Sequence, residues 1–378
     1  MLALAAIKIS FKDSLKWRLS FKIWAIECHH LMYLYVICES FPYNSDVCDY
    51  FTAFAHAPQA FLLDSGKPQQ AQGQYDIFSA WPTQLIESDG SDIATVKQRL
   101  SKDWQSNDCD LPFSGGWMGF ACYELGYALE PKIGMAIDKP KLPLFFAAYY
   151  AWAFIIDHNK KTATLVYEDD LDHGLLAQIK QYLEKTPSSS SPFSLAKPFT
   201  PLTSWPQYQE DFNRIKHYLN AGDCYQVNYA QAYTTTFNGP AFSVYKTLRN
   251  TVPSPFMAYA NVSEQQQILS ISPERFLKAT AEKLETKPIK GTAGRSSNKE
   301  VDAQIALCLQ QSEKNRAENL MIVDLLRNDF GRYCETSSIA VDELFAIESY
   351  ANVHHLVSTI TGKLNDNSFE ILPPVCVA

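Results

Sequence analysis

The run LFFAAYYAWAFIID, Leu144 to Asp157, limits the fold more than any other stretch of this chain. Aromatic residues dominate it, HNKK interrupts, and TATLVYED follows with β-branched residues. Side chains of these types lose rotamer freedom in a helix and pack well on a pleated surface, so the two runs read as a hairpin joined by a polar loop. Upstream, AFLLDSGK and YDIFSAWP read as two strands separated by a loop rich in Gly, Pro and Gln. The glycine-punctuated FSGGWMGFACYELG reads as a tight turn entering a buried element.

The second half opens on a helix. Ser204 is placed to cap it, Tyr208, Phe212, Ile215 and Leu219 recur at helical spacing, and Gly222 ends it. CYQVNYAQAYTTTF alternates as a strand, and QQILSISPERFLKAT and KLETKPIKG read as a further pair turning at Ala281 to Lys283. One long helix is expected from about Lys299 to Asn328, with Ile305, Leu309, Leu320, Val323 and Leu326 on its inner side and Gly331 as its stop. Runs of strands punctuated by a few long helices, without an internal repeat, predict an α+β fold of large, mostly antiparallel sheets packed with helices.

At 378 residues the chain is long enough for two domains or one large two-lobed domain. Composition marks an atypical extension over 1–42 and a Ser/Pro-rich linker over 183–206, which separates an N-terminal region over 43–182 from a second region that begins at 207. The extension carries Lys8, Lys12, Lys16, Arg18 and Lys22, then an apolar run broken by Glu27, His29 and His30. That run is too interrupted to span a membrane and lacks the form of a signal peptide. It reads as a misassigned start or an amphipathic presequence.

A net charge of −8 and the lack of a basic stripe argue against a nucleic-acid partner. Nine scattered cysteines without a C-x-x-C pair fit reduced thiols and a cytoplasmic protein.

Four segments of the second half combine ionisable residues with backbone punctuation: GDCYQVNYAQ, SPERF with Glu274, PIKGT with Lys290, and RAENLMIVDLLRNDFGR with Glu318. Each also has an ordinary reading. Glu274 can pair with Arg275 at the surface, Lys290 can be solvated, and Glu318 can serve as an i,i+4 partner on an exposed face. Asp324, Arg327 and Asn328 share a helix face and can brace its end, and His354 and His355 can be a strand pair.

In order and wording, GDCYQVNYAQ, PSPF, SPERFL, KPIKGT, RAENLMIVDLLRNDFGR and VHHLVSTITG resemble the chorismate-utilising enzymes, from about Tyr43 to Leu364. This family includes the anthranilate, aminodeoxychorismate, isochorismate and salicylate synthases. Its members usually carry alanine between Pro-Ile and Gly-Thr in the anthranilate and isochorismate branches, and lysine in the aminodeoxychorismate branch. Lys290 places the resemblance in the last of these. The implied reaction joins chorismate and ammonia to give 4-amino-4-deoxychorismate, towards 4-aminobenzoate and folate; anthranilate synthesis is the alternative.

The resemblance implies an anthranilate synthase component I-like fold with Lys290 as nucleophile and Glu274 as general acid/base. Gly291, Thr292 and His355 would bind substrate, and Glu318 would be one ligand of a magnesium ion. It also implies a glutamine amidotransferase subunit as ammonia donor, and Ser65 in FLLDSG as the contact of an amino-acid site that holds tryptophan in some relatives. Such a lysine must be deprotonated, so burial or a second cation should depress its pKa.

Two departures stand out. Relatives continue after Gly-Thr with a basic run, whereas here Ala293, Gly294 and Arg295 follow. They also continue beyond HLVS into a glycine-rich segment and a late glutamate, whereas LNDNSFEILPPVCVA ends this sequence. The resemblance therefore implies a C-terminally truncated catalytic region over 207–364 followed by a divergent tail over 365–378, poorly stable and close to inactive, or a non-catalytic homologue.

Overall fold

The computed structural model describes residues 6–10, 21–27, 36–68, 73–102, 111–130, 142–185, 192–224, 226–280 and 283–365. The first half runs through β1 (Ala6–Ser10), β2 (Phe21–Glu27), β3 (Val36–Phe41), α1 (Val47–Phe51), β4 (Phe61–Asp64), β5 (Tyr75–Ser79) and β6 (Gln84–Ser88). It continues with α2 (Ile93–Lys102), β7 (Gly116–Cys122), α3 (Leu125–Leu129), β8 (Phe145–Tyr150), β9 (Trp152–Asp157), β10 (Thr162–Glu168) and α4 (His173–Leu183). Next come β11 (Ser194–Leu195), β12 (Thr200–Pro201), α5 (Trp205–Ala221), β13 (Tyr233–Thr234), β14 (Phe237–Asn238), α6 (Ala241–Thr251), β15 (Phe256–Ser263) and β16 (Gln266–Ser272). The last part holds β17 (Lys278–Ala279), β18 (Lys283–Thr286), β19 (Ile289–Gly294), α7 (Lys299–Gln311), α8 (Glu313–Phe330), β20 (Ala340–Ser349) and β21 (Val353–Lys363).

Three large sheets result, and the α+β expectation is met. An eight-stranded sheet has the order β1-β16-β15-β4-β5-β9-β10-β3, and a four-stranded sheet the order β2-β7-β8-β6. In the third, β21 takes β18 and β19 along one edge and β20 along the other, all antiparallel.

The aromatic run feeds two of these sheets. It forms the expected hairpin β9–β10, with Trp152 opposite Tyr167. At Ala151 it also switches sheets, so that β8 pairs β7. Every residue of β8 and β9 is buried because β9 is covered on both faces. Trp152, Phe154 and Ile156 face a core under α1, α4 and α6, while Ala153 and Ile155 face the core shared with the four-stranded sheet. There Phe61 stacks on Phe146 at 6.1 Å. A smaller core of Leu284, Ile322, Val323, Leu326, Phe330 and Ile360 seats α8 on β21.

Several sequence expectations need correction. The long helix is two: α7 ends and α8 begins at Ser312, whose hydroxyl caps the second helix by accepting from Asn315 N. Leu320, expected on the inner side, is 45% exposed, and Gly331 ends α8 in a right-handed conformation. α5 has the expected cap at Ser204 and a left-handed Gly222, yet none of its residues is buried. Among the described residues, the alternating stretch after it supplies only β13 and β14. These pair with β12 and β11 from the expected linker, part of which (186–191) lies outside the described residues.

The strand pair expected around Ala281 is limited to β17 and β18, while β16 joins the eight-stranded sheet through β15. The atypical extension also contributes to the fold: β1, β2 and β3 pair with β16, β7 and β10. Residues 366–378 of the divergent tail lie outside the described residues.

The two halves of the sequence interleave. β15 pairs with β4, and Arg249 of α6 donates from Nε to Asp64 Oδ2 at 2.6 Å and lies 3.2 Å from Asp46 Oδ1. Tyr245 donates to the same Asp64 oxygen at 2.8 Å. Burial and the nearby Asp76 push the Asp64 carboxyl up to about 6, against the pull of the Arg249 guanidinium.

Candidate active site

Lys290 stands on a break in a ladder. Ile289 pairs with Val357 and Thr292 with His355, but the register shifts between them, so Lys290 and Gly291 form a bulge in β19. Gly291 has φ +92, and a Cβ there would meet Asn315 Cγ at 3.0 Å and Leu309 Cδ1 at 3.2 Å. Only glycine meets both the left-handed backbone and the close approach of α7 and α8. The Lys290 side chain is half-buried.

Glu274 joins Lys290 through the backbone. The loop after β16 is turned by Ser272, whose hydroxyl accepts from Glu274 N and donates to Glu274 O. The Glu274 carboxylate then accepts from Ile289 N at 2.9 Å, the amide just before Lys290. Arg275, beside it in sequence, bonds Glu285 of β18.

On the other side of the bulge, Thr292 Oγ1 and His355 Nδ1 are 2.8 Å apart. His355 is fully buried, and burial depresses its imidazole below its ordinary value, against the opposing pull of the Glu348 carboxylate. A neutral imidazole leaves this ring able to accept from Thr292 or to donate, according to its tautomer.

Glu318 sits on α8 beside Asn319, whose buried side chain accepts from Ser358 of β21. Glu318 is partly exposed and lies 3.9 Å from Lys314 Nζ as an i,i+4 pair. Among the described residues there is no group of three His, Cys, Asp or Glu side chains that could hold a metal. Glu318 therefore offers one oxygen ligand, which suits magnesium only where water and substrate fill the remaining positions. Asp324 and Arg327 form the exposed i,i+3 brace expected of them, at 3.4 Å.

Ser65 is not part of this group. It follows β4 in the eight-stranded sheet, where its N–H and hydroxyl both donate to Asp76 Oδ1 at 2.7 Å. Asp76 Oδ2 in turn is 2.8 Å from His158 Nε2.

Sequence reasoning missed the groups that hold these residues. Glu348 lies opposite His355 in the register of β20 and β21. It accepts from Lys287 Nζ and from the Tyr350 hydroxyl, each at 2.6 Å. Burial works to raise Glu348, but these two partners outweigh it and hold the carboxyl below its ordinary range. Arg295, just after the bulge, forks onto Asp302, which also bonds His354 Nε2 at 3.0 Å. No local pattern signals these partners, because β20 slips register twice before Ala346 and turns through a positive φ at Phe345.

The bulge thus brings together Lys290, a carboxylate bonded to the preceding amide and a hydroxyl–imidazole pair, within an α+β fold. The chain belongs to the chorismate binding enzymes, whose family pattern matches residues 58–372, somewhat beyond the end of the resemblance at Leu364. It is 36% identical over 341 residues to aminodeoxychorismate synthase component 1 of Escherichia coli (strain K12), covering 83% of this chain and 72% of that protein. It is 35% identical over 345 residues to the protein of the same name from Klebsiella aerogenes, covering 86% and 75%.

Among solved structures, anthranilate synthase component I from Streptococcus pneumoniae TIGR4 superposes with a TM-score of 0.66 at 25% identity, over 78% of this chain and 70% of that one. The menaquinone-specific isochorismate synthase of Escherichia coli gives 0.59 at 14% identity over 90% and 73%, a likeness of fold alone.

Proposed function

We propose that the chain is the chorismate-aminating component of an aminodeoxychorismate synthase, forming 4-amino-4-deoxychorismate from chorismate and ammonia. The observation that carries this reading is Lys290 itself, on a bulge whose preceding amide is held by Glu274. The similarity to aminodeoxychorismate synthase component 1 from several species supports the same choice.

The Lys290 amine adds at C2 of the ring, the conjugated π electrons shift, and the C4–O bond breaks. Glu274 gives its proton to the departing hydroxyl, which leaves as water. Ammonia then attacks C4, the π electrons return, and the C2–N bond breaks to release Lys290. One difficult substitution becomes two easier ones. Gly291 N–H and Thr292 would receive a substrate carboxylate, with His355 bonded to Thr292. A magnesium ion with Glu318 as one ligand would neutralise carboxylate charge when bound.

The reading extends to a glutamine amidotransferase subunit as ammonia source, to the 4-aminobenzoate and folate pathway and to a cytoplasmic location. No helix among the described residues is long and apolar enough to cross a membrane. It also includes an amino-acid ligand, tryptophan, near Ser65, tested by titrating the protein with tryptophan and with a Ser65→Ala variant.

Incubation with chorismate and an ammonium salt tests the activity. The expected product retains the enolpyruvyl group, with no fluorescent anthranilate and no pyruvate released. Anthranilate with pyruvate, or no turnover, would contradict the proposal. Glu274→Gln is expected to lower kcat by about 10²–10⁴-fold, the usual contribution of a proton-transfer group.

A further inference from the structure

Two cations flank the Lys290 bulge, and both reach the same short stretch of chain. Just before β19, Lys287 Nζ donates to Glu348 Oε1 at 2.6 Å. Just after it, Arg295 donates to the Tyr350 carbonyl, also at 2.6 Å. The Tyr350 hydroxyl closes the circuit by donating to Glu348 Oε2, and its ring meets His355 edge-on at 5.3 Å. Between these anchors the ladder is interrupted and Gly291 supplies a flexible backbone.

A bulge that carries a reacting group must be held from outside, because its own ladder hydrogen bonds are lost. An exposed ion pair would do this weakly. Lys287 and Glu348 are only 30% and 22% exposed, and both carboxylate oxygens are occupied. The pair also straddles the site: Lys287 is three residues from Lys290, and Glu348 is the register partner of His355.

We propose that Lys287 and Glu348 are positioning residues that fix the bulge bearing Lys290 relative to the Thr292–His355 pair. The proposal deepens the assigned function and rests on Lys290 being the nucleophile. Neither residue touches the reacting atoms. Their contribution lies in keeping the amine within reach of the substrate carbon, where a displacement of about 1 Å can cost on the order of 10²-fold in rate.

The test compares Lys287→Met, Lys287→Arg and Glu348→Gln in the full chain. Backbone hydrogen exchange is read over 287–295, and kcat and KM are read with chorismate and an ammonium salt. Lys287→Met and Glu348→Gln are expected to speed exchange at Lys290 and Gly291. They should also lower kcat about ten- to a hundredfold with KM for chorismate little changed. Lys287→Arg keeps the charge and should restore both.

Unchanged exchange in Lys287→Met would overturn the proposal. So would faster exchange with kcat intact, since the pair would then serve stability alone. Lys290→Ala is run alongside. Full turnover in that variant would sink the nucleophile assignment, and exchange would still decide whether the pair holds the bulge.

Discussion

Gly291 and His355 show how single residues set the site. Alanine at 291 would have to adopt a positive φ and press on Asn315 and Leu309. Gly291→Ala is expected to cost about 1–3 kcal/mol, measurable by denaturant unfolding, and to lower turnover by displacing Lys290. The His355 imidazole is depressed below 6.5 by burial, so the unfolded chain takes up the proton first as pH falls. Its contribution to stability is intact above pH 6.5 and is lost as pH drops through the folded value. Melting temperature should therefore decline below pH 6.5 in the parent and more gently in His355→Gln; parallel declines would contradict this. Glu348, held low by Lys287 and Tyr350, loses its contribution only below its ordinary 4.5, so the two effects occupy different windows. Lys290, Glu274 and Thr292 were legible as words in the sequence because each sits in a short stretch of distinctive punctuation. Glu348 and Tyr350 were not, since their meaning depends on which residue they face across two strands.

At the scale of elements, one residue turned one expected helix into two. Ser312 ends α7 and caps α8, and the apolar spacing runs through the break closely enough to hide it. Ser312→Ala is expected to cost about 1 kcal/mol of stability, the usual value of a hydroxyl cap. Thermal melts of the variant check this, and a melting temperature matching the parent would mean that the cap is dispensable. The hairpin β9–β10 was legible because both runs and their loop are contiguous. The switch of sheets at Ala151 was not, because the residues on either side of it are equally apolar. β13 and β14 show the opposite failure: an alternating pattern needs a partner strand of matching length, and among the described residues their partners β12 and β11 are two residues long.

Over the whole molecule, the division into an N-terminal and a catalytic region does not describe the sheets. β15 and β16 complete a sheet begun by β4 and β5, and Arg249 binds Asp64 across 185 positions of sequence. Arg249→Leu would leave Asp64 buried without its cation, a loss expected to cost about 3–5 kcal/mol. Denaturant titration followed by tryptophan fluorescence should report it, and a loss under about 1 kcal/mol would mean that Asp64 is neutral in the folded chain. Pairings of this range leave no trace in composition, so the class of the fold was readable and its interleaving was not. The covalent bond from Lys290 to the ring is tested by peptide mass analysis after incubation with chorismate in the absence of ammonia. A Lys290 peptide heavier by chorismate less one water is expected, discharged as 4-amino-4-deoxychorismate when ammonium is added. An unmodified Lys290 together with full turnover by Lys290→Ala would contradict it.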